Sequence, residues 1–442
     1  MAGISFAQAL KFWLKLGFIS FGGPAGQIAT MHRELVERRR WISEGRFLHA
    51  LNYCMVLPGP EAQQLATYLR WLMHRTWGGV LAGVLFVLPS LVLLIGLSWV
   101  YVTWGQVPAV AGVLYGIKPV VAGIVLHAVW RIGGRTLRQP RQRPVLWLLA
   151  TLSFVAIALL QVPFPWVIAV AALAGVAGAR WAPAQFAASP GHAAVVDPGA
   201  AAALIDDDTP PPDHARFRRG RLARVLAVGL ALWLAPMAVL IALEGWQGTL
   251  TQMAWFFSKA AMLTFGGAYA VLPYVYQGAV EHYQWLSALQ MIDGLALGET
   301  TPGPLIIVVA FVGFLGGWAR QVLGPDAMFL GAALAACVVV WFTFLPSFIF
   351  ILAGAPLVES THGQLRFTAP LTAITAAVVG VIASLGVFFI GHVAWGPGGV
   401  DVVAVILVVL AVWALVRRSW GVIPVIAAGA AAGLVLRLAG LV

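Results

Sequence analysis

The chain has 442 residues, of which 61% are hydrophobic and 10% charged, and its mean hydropathy is +0.90. An ordinary soluble chain has about 25% charged residues, so this composition excludes a soluble protein. It predicts an all-α polytopic membrane protein, because only apolar helices satisfy their own backbone while crossing a lipid bilayer. The net charge of +11 would suit nucleic acid, but arginines that mark membrane loops explain it better.

The first apolar segments of the chain are repeated later in it. Residues 12–60 align with residues 256–304 at a constant shift of 244, without a gap. A chance match of apolar residues would not keep a lysine, a glutamate, a tryptophan and two Gly/Pro motifs in one register. The sequence therefore predicts a duplication. The matching residues include Phe12, Lys15, Gly22, Gly23, Glu37, Trp41, Pro58, Gly59 and Pro60, aligned with Phe256, Lys259, Gly266, Gly267, Glu281, Trp285, Pro302, Gly303 and Pro304.

Four regions follow from this duplication. Residues 1–180 are predicted to form a first transmembrane repeat and residues 244–442 a second one. Residues 181–222 combine an alanine-rich stretch, three aspartates, three prolines and a basic run, a composition that predicts a disordered cytoplasmic linker. One apolar segment, 223–243, has no partner in the first half and is predicted to be a connecting transmembrane helix.

Arginine placement predicts that the two repeats have opposite orientations. Residues 1–224 carry 21 basic and 9 acidic residues, whereas residues 225–442 carry 6 and 7. The loops 29–46 and 131–144 are rich in arginine, but their second-half counterparts contain no Lys or Arg. Positive loops face the cytoplasm, so the pattern indicates an inverted-topology repeat, as in secondary transporters. Counting each apolar segment once gives thirteen crossings, and fewer if segments broken by Gly and Pro enter and return.

The Gly/Pro breaks carry the predicted chemistry. Non-helical backbone at membrane depth is tolerated only beside protein or a watery cavity. Proline favours the first turn of a new helix, and the free amides there attract anions. Kinks or close helix contacts are the alternative, but four matched breaks favour a binding site at the membrane midplane. The breaks contain Gly22, Gly23, Pro24, Gly59, Pro60, Gly266, Gly267, Gly303 and Pro304, and the amides that follow begin near Ala25, Glu61 and Leu305.

Ionisable and polar residues near the breaks extend this predicted site. Lys15 and Lys259 occupy equivalent positions and either line an anion path or snorkel to the membrane surface. Glu61 and Glu299 flank the Pro-Gly-Pro motifs on opposite sides, where they relay protons, pair with a lysine or cap a half-helix. Lys118 could take either lysine role, and we interpret Asp293 as structural. Neutral hydrogen bonds to an oxyanion would come from Gln63, Gln64, Thr300 and Thr301.

These motifs resemble those of the chromate ion transporter family in its long-chain, two-domain form. The resemblance rests on Phe21-Gly22-Gly23-Pro24, on residues 58–64, on Trp77-Gly78-Gly79 and on residues 299–304. It implies efflux of chromate, a tetrahedral dianion, and chromate resistance. The second half has Ala268 at the position that is equivalent to Pro24. This difference departs from a fully symmetric anion site.

The sequence thus predicts a secondary transporter that exports chromate across the bacterial inner membrane by alternating access. The residues do not separate chromate from sulfate, so a transporter of sulfate or another oxyanion stays open, as do a passive anion channel, coupling protons and a homodimer. A membrane-embedded hydrolase is the rival from another class, but neither a His-Glu-x-x-His nor a Gly-x-Ser-x-Gly motif is present. We predict no enzyme activity, no cofactor and no metal site.

Overall fold

The computed structural model describes residues 5–21, 23–137, 142–186, 203–207, 209–210, 212–265, 267–360, 368–396 and 399–441. The described residues are almost entirely helical, with one two-stranded hairpin. Six of the helices formed by these described residues are long and apolar enough to span a membrane. The chain is therefore a multi-pass all-α membrane protein, as its composition predicted.

The described residues of the first half form eight helices. The helix α4 is divided at His74 and Arg75, whose backbone is not helical, into α4a (61–73) and α4b (76–104). A π-helical turn, Arg33–Arg38, follows α2. The helices are α1 (Phe6–Ile19), α2 (Gly23–His32), α3 (Glu44–Val56), α4 (Glu61–Trp104), α5 (Pro108–Thr136), α6 (Pro144–Ala158), α7 (Phe164–Trp181) and α8 (Pro183–Phe186).

The second half repeats this element order after the connecting helix α9 (Arg219–Glu244), which begins four residues earlier than predicted. Gln277–His282 forms a π-helical turn, Leu305–Ile307 and Pro325–Ala327 form 3-10 turns, and β1 (Trp395–Gly396) pairs with β2 (Gly399–Val400). The helices are α10 (Thr249–Leu263), α11 (Ala268–Tyr276), α12 (Ala288–Thr300), α13 (Val308–Ala319), α14 (Met328–Ser360), α15 (Thr368–Ala394), α16 (Val402–Val416) and α17 (Val422–Leu438).

The duplication is visible in local geometry as well as in element order. The two π-helical turns keep the shift of the sequence repeat, and so do α3 and α12, each capped by the side-chain hydroxyl of a serine, Ser43 or Ser287. Arg40 and its equivalent Gln284 share a positive φ, of 51° and 54°. Farther along the chain, the shift from the start of α6 to that of α16 equals the shift from α7 to α17. Equivalent sequence has therefore folded into equivalent structure.

The four broken segments fold back as helical hairpins. Arg46 of α3 and Tyr68 of α4a both contact Glu359 although the Pro-Gly-Pro break separates them, so α3 and α4a lie side by side. In the second half, a Cβ on Gly298 of α12 would lie 3.2 Å from Val308 of α13. The hairpin of α10 with α11 forms in the same way, as Phe256 stacking on Tyr274 at 4.8 Å shows. In the first half, Phe12 of α1 contacts Trp41, which follows α2 and its π-helical turn. Segments that enter and return fit this geometry better than thirteen crossings.

Three glycines explain how α4 turns back on itself. A Cβ on Gly79 would lie 2.9 Å from the Cβ of Trp71, and one on Gly83 would meet the hydroxyl of Thr67. Only glycine lets α4b approach α4a this closely, while Gly78 fits over Arg70 in the same way. The Trp-Gly-Gly motif of the sequence is thus the point where the hairpin packs against the long helix.

The two halves exchange helices. The helices α6 and α7 of the first half pack on α15 of the second, while α16 and α17 pack on α5. Gly112 and Gly116 of α5 face Gly429 and Gly433 of α17, and a Cβ on Gly116 would lie 2.8 Å from the Cα of Gly433. Two facing Gly-x-x-x-Gly motifs let helix backbones touch inside a membrane.

This contact gives a stability prediction. Gly116→Leu should lower the stability of the protein by about 1–3 kcal/mol, because the added side chain forces the two backbones apart. Thermal unfolding in detergent measures the loss. Gly134→Leu, also on α5 but with open space around it, is the matched control. Equal unfolding temperatures for the two variants would contradict the close contact.

Part of the linker packs on the first half. Ile205 is 3% exposed and forms a bridge with Ile42, and the hydroxyl of Ser43 donates to Asp207 at 2.7 Å. His214 donates from Nε2 to the backbone oxygen of Trp71 at 2.9 Å. These contacts depart from the disorder predicted for 181–222. Composition does not show that a single apolar residue such as Ile205 can be buried against the first half. The alanine-rich stretch 187–202 lies outside the described residues.

Burial makes this linker contact pH-sensitive. Burial lowers the pKa of His214 below its usual 6.5, and Arg75 and Arg221 lower it further, against the opposing hydrogen bond to Trp71. The docked state therefore binds fewer protons, so docking is favoured above pH 6.5 and weakens as the pH falls. The protection of amides in 203–216 against hydrogen exchange, corrected for the intrinsic pH dependence of exchange, should fall on acidification to pH 5. The His214→Gln variant should lose much of that pH dependence, and an unchanged profile would contradict this role.

Candidate functional site

The site is formed by the tips of the four hairpins, which are the short non-helical segments that contain Ser20, Gly59, Thr264 and Gly303. Each tip from one half contacts a tip from the other half. The Gly59 amide donates to the backbone oxygen of Thr264 at 2.7 Å, and the Gly303 amide donates to the backbone oxygen of Ser20 at 2.8 Å. These two hydrogen bonds join repeat-equivalent residues, since Gly59 with Gly303 and Ser20 with Thr264 are each 244 positions apart. Two Gly/Pro tips from each half are thus tied together crosswise.

Both Pro-Gly-Pro glycines adopt backbone that only glycine takes easily. Gly59 has φ of 127° and Gly303 has φ of 104°. Each also lies against a serine of a long helix in the other half, since a Cβ on Gly59 would collide with the Ser347 hydroxyl and one on Gly303 with the Ser90 hydroxyl. The Ser90 hydroxyl donates to the Pro302 backbone oxygen. The tips therefore sit midway along α4b and α14.

Among the helix starts whose N-cap the structure describes, two helices and one 3-10 turn begin at the tips without a side-chain cap. Pro60 is the N-cap of α4, Pro304 that of the 3-10 turn before α13, and Gly267 that of α11. The first amides of a helix have no intrahelical partner. Those that start near Glu61, Leu305 and Ala268 are therefore free to hold negative charge. Pro24, Pro60 and Pro304 were each predicted to be the first residue of a half-helix. Pro60 and Pro304 lie one position before the first helical residue, and Pro24 is the second residue of α2.

Glutamine side chains form hydrogen bonds with the backbone of the tips. The Gln27 amide nitrogen donates to the backbone oxygens of Ser20 and Gly303, and that of Gln64 donates to the Pro58 oxygen at 2.8 Å and approaches the Ser347 hydroxyl at 3.5 Å. Four buried side-chain oxygens near the tips have no hydrogen-bond partner among the described residues. The amide oxygens can accept hydrogen bonds from water or from a ligand N–H or O–H, and the Ser20 hydroxyl can also donate one. The four atoms are Ser20 Oγ, Gln27 Oε1, Gln63 Oε1 and Gln64 Oε1.

The acidic residues differ in environment. Glu299 is 7% exposed, lies four residues before Gly303 and accepts a hydrogen bond from the Tyr269 hydroxyl. Glu61 is partly buried as the first residue of α4 and does not cap it. The hydroxyls of Thr300 and Thr301 donate to backbone oxygens of their own helix at 2.8 and 2.9 Å. Glu299 is thus the predicted acidic residue that lies most deeply beside a tip.

The predicted lysines lie away from the tips. Lys15 is exposed on α1, and Lys259 is half-buried with its ammonium 5.5 Å from the Trp255 ring centre, on the side of α10 away from the break. Their role in an anion path stays a prediction. Gly22 and Gly266 lie outside the described residues, as does the side chain of Ala25, whereas Gly23 and Gly267 both adopt positive φ.

Several residues of this site were not singled out from the sequence. Ser20 and Thr264 carry hydroxyls at equivalent positions of the repeat, so the shift of 244 could have revealed them. Gln27 has no equivalent glutamine, because Val271 stands there, and no pattern pointed to it. Tyr269 became visible only through its hydrogen bond to Glu299.

Fold and site define a duplicated helical membrane protein whose polar hairpin tips meet in its interior. The sequence profile described as "Chromate transporter" matches residues 7–176 and 251–434. The chain belongs to the chromate transporter family.

Relatives agree with this membership. The "Chromate transport protein" of Pseudomonas aeruginosa is 34% identical over 386 residues, which are 86% of this chain and 80% of that protein. The protein of the same name from Cupriavidus metallidurans is 29% identical over 377 residues, covering 85% and 80%. A "Probable chromate transport protein" of Synechococcus elongatus is 29% identical over 379 residues, covering 86% and 83%. No solved structure matches the chain significantly.

Proposed function

We propose that this chain is a secondary transporter that exports chromate across the bacterial inner membrane by alternating access. The observation that carries the proposal is the crosswise pairing of Gly59 with Thr264 and of Gly303 with Ser20. This pairing gathers uncapped helix starts from both halves, where a dianion is best held. Family membership and the names of the relatives supply the substrate class.

The substrate would bind between the Pro-Gly-Pro tips. Amides at the starts of α4a and of the 3-10 turn before α13 would face its oxygens. The side-chain N–H groups of Gln63 and Gln64 would add neutral hydrogen bonds by turning from Thr67 and Pro58 towards the anion. Amides and neutral side chains suit a tetrahedral oxyanion that must also leave, since a fixed buried cation would hold it too firmly. Sulfate presents the same oxygens and charge, so it is expected to compete with chromate.

An inverted arrangement of the two halves would supply alternating access. The arginine bias between halves supports opposite orientations. So does the course of α4b and α14, because Gly83 packs on Phe348 while the Trp99 ring lies 5.6 Å from the Phe329 ring, an antiparallel pairing. When both hairpins of each half enter and leave on the same side, each half crosses the membrane four times. Together with α9, this gives nine crossings. Rocking one half against the other would expose the tips to each side in turn.

Export is also the direction that the membrane potential favours. A dianion that leaves an interior at −100 mV without compensating charge gains roughly 5 kcal/mol. Protons would modify this balance through Glu299. A bound anion favours the protonated form of a neighbouring carboxyl group, so anion and proton occupancy would be linked.

Flux into proteoliposomes tests the proposal. Purified protein is reconstituted, and uptake of chromate and of sulfate is measured with imposed pH gradients and imposed potentials. We expect saturable chromate flux that an inside-positive potential accelerates and that sulfate inhibits. Flux that rises linearly with chromate concentration would favour a channel instead. No chromate flux above that of empty liposomes would refute the assignment.

A further inference from the structure

Two ion-pair clusters with buried carboxylates lie at opposite ends of the α4b–α14 pair. In the first, the Lys118 ammonium lies 3.4 Å from the Asp293 carboxylate, which also accepts a hydrogen bond of 2.9 Å from the Tyr101 hydroxyl. In the second, the Arg46 guanidinium lies 3.4 Å from the Glu359 carboxylate, which accepts a hydrogen bond of 2.5 Å from Tyr68. Asp293 and Glu359 are 2% and 9% exposed.

Each cluster joins the two halves of the protein. Asp293 belongs to the hairpin of α12 and α13 in the second half, and its partners belong to α4b and α5 of the first half. Glu359 lies at the end of α14 in the second half, and its partners belong to the hairpin of α3 and α4a in the first half. Breaking either cluster therefore frees a hairpin of one half from a long helix of the other.

The clusters also occupy repeat-equivalent places. His49 is the equivalent of Asp293, 244 positions away, and its Nε2 donates to the Val358 backbone oxygen at 3.4 Å, next to Glu359. Along the long helices, Tyr101 lies about three helical turns beyond Ser90, and Glu359 lies about three turns beyond Ser347. At a pitch of about 5.4 Å per turn, each cluster is about 16 Å from the central tips, in opposite directions.

Charge pairs with buried carboxylates are better suited to a contact that opens and closes than to one that only stabilises the fold. Replacing a buried ion pair by apolar side chains often costs little stability, so such pairs are weak evidence for a structural role. Their attraction is lost when water enters, which makes them responsive to opening on one side. Both clusters are closed in this structure, with the tips between them.

We propose that these clusters are the two gates of the transport cycle, the one at Asp293 and the one at Glu359 opening in alternation. This inference rests on the proposed function, because a gate requires a path. In the topology with nine crossings, the Glu359 gate faces the cytoplasm, beside the arginine-rich loop 29–46, and the Asp293 gate faces the opposite side. Neither gate residue contacts the tips.

Cysteine reporters on the long helices test the proposal without any substrate. Ser98 and Ala355 are both 0% exposed, and each lies between the tips and one gate. Ser98→Cys and Ala355→Cys are placed separately in a background in which Cys54 and Cys337 are replaced by alanine. An impermeant thiol reagent is then applied to right-side-out or everted vesicles, and labelling rates are compared.

Opening one gate should expose only its own reporter. Asp293→Asn should raise labelling of the Ser98→Cys reporter about tenfold in right-side-out vesicles and leave the Ala355→Cys reporter protected. Glu359→Gln should do the reverse in everted vesicles. The exchanged pair, Lys118→Asp with Asp293→Lys, should restore protection.

The opposing results are equally defined. Labelling of both reporters by either variant, or of neither, would overturn the gate assignment, since a purely structural pair would loosen both ends together. A variant that unfolds would label both reporters from both sides. Failure of the proposed function appears separately, as absent chromate flux in unmodified protein with both reporters still responding.

Discussion

Replacing Gly59 or Gly303 by alanine should reduce chromate flux about tenfold or more. A side chain at positive φ costs roughly 1–2 kcal/mol, and here the added Cβ would also collide with the hydroxyl of Ser347 or Ser90. The tip would move to relieve both effects, and the crosswise hydrogen bond would lengthen. Flux per molecule of folded protein in proteoliposomes is the measurement.

Two comparisons sharpen this expectation. Gly96→Ala is the matched control, because Gly96 lies on the same long helix as Ser90 with open space around it, and its flux should equal that of unmodified protein. Ser347→Ala combined with Gly59→Ala removes the colliding hydroxyl and should recover part of the flux. Full flux in the Gly59→Ala and Gly303→Ala variants would show that the tips carry no function.

Replacing Glu299 by glutamine should remove most of the response of flux to an imposed pH gradient. Glutamine keeps an oxygen that accepts the hydrogen bond from Tyr269, so the hairpin should stay folded, but it binds no proton. Because the side chain stays neutral, anion binding is no longer linked to proton binding. Initial rates at equal chromate concentration, with and without a gradient, measure the response.

The exposed Glu281, in the second π-helical turn, supplies the control for this variant. Glu281→Gln removes the same charge far from the tips and should keep the full pH response. If Glu299→Gln retains that response as well, Glu299 does not carry the proton. If unmodified protein shows no response to the gradient, the flux is driven by potential and concentration alone.

The sequence predicted the fold class and the positions of the breaks because both depend on local chemistry. Apolar composition leaves helices as the only spanning structure, and glycine or proline at a matched register marks where the helices stop. It did not predict which tips meet, since the pairing of Gly59 with Thr264 joins residues 205 positions apart and has no local signal. The lysines show the same limit. The register of the repeat identified Lys15 as a repeated residue, but it did not show which way the side chain points.

Ionic contacts were the least predictable part of the molecule. Asp293 was interpreted as structural, and nothing in the sequence linked it to Lys118 or linked Arg46 to Glu359. Such pairs form because the fold brings together two charges that would each be costly to bury alone. They can be found only once the exchange of helices between the halves is known.

Locating chromium within the protein tests the central claim most directly. A crystal structure with bound chromate, with anomalous scattering recorded at the chromium absorption edge, marks the substrate position without reference to function. The account predicts one peak between Pro58–Pro60 and Pro302–Pro304, within hydrogen-bonding distance of the first amides of α4 or of the turn before α13. A peak beside Lys15 on the outer face of α1, with none at the tips, would contradict it.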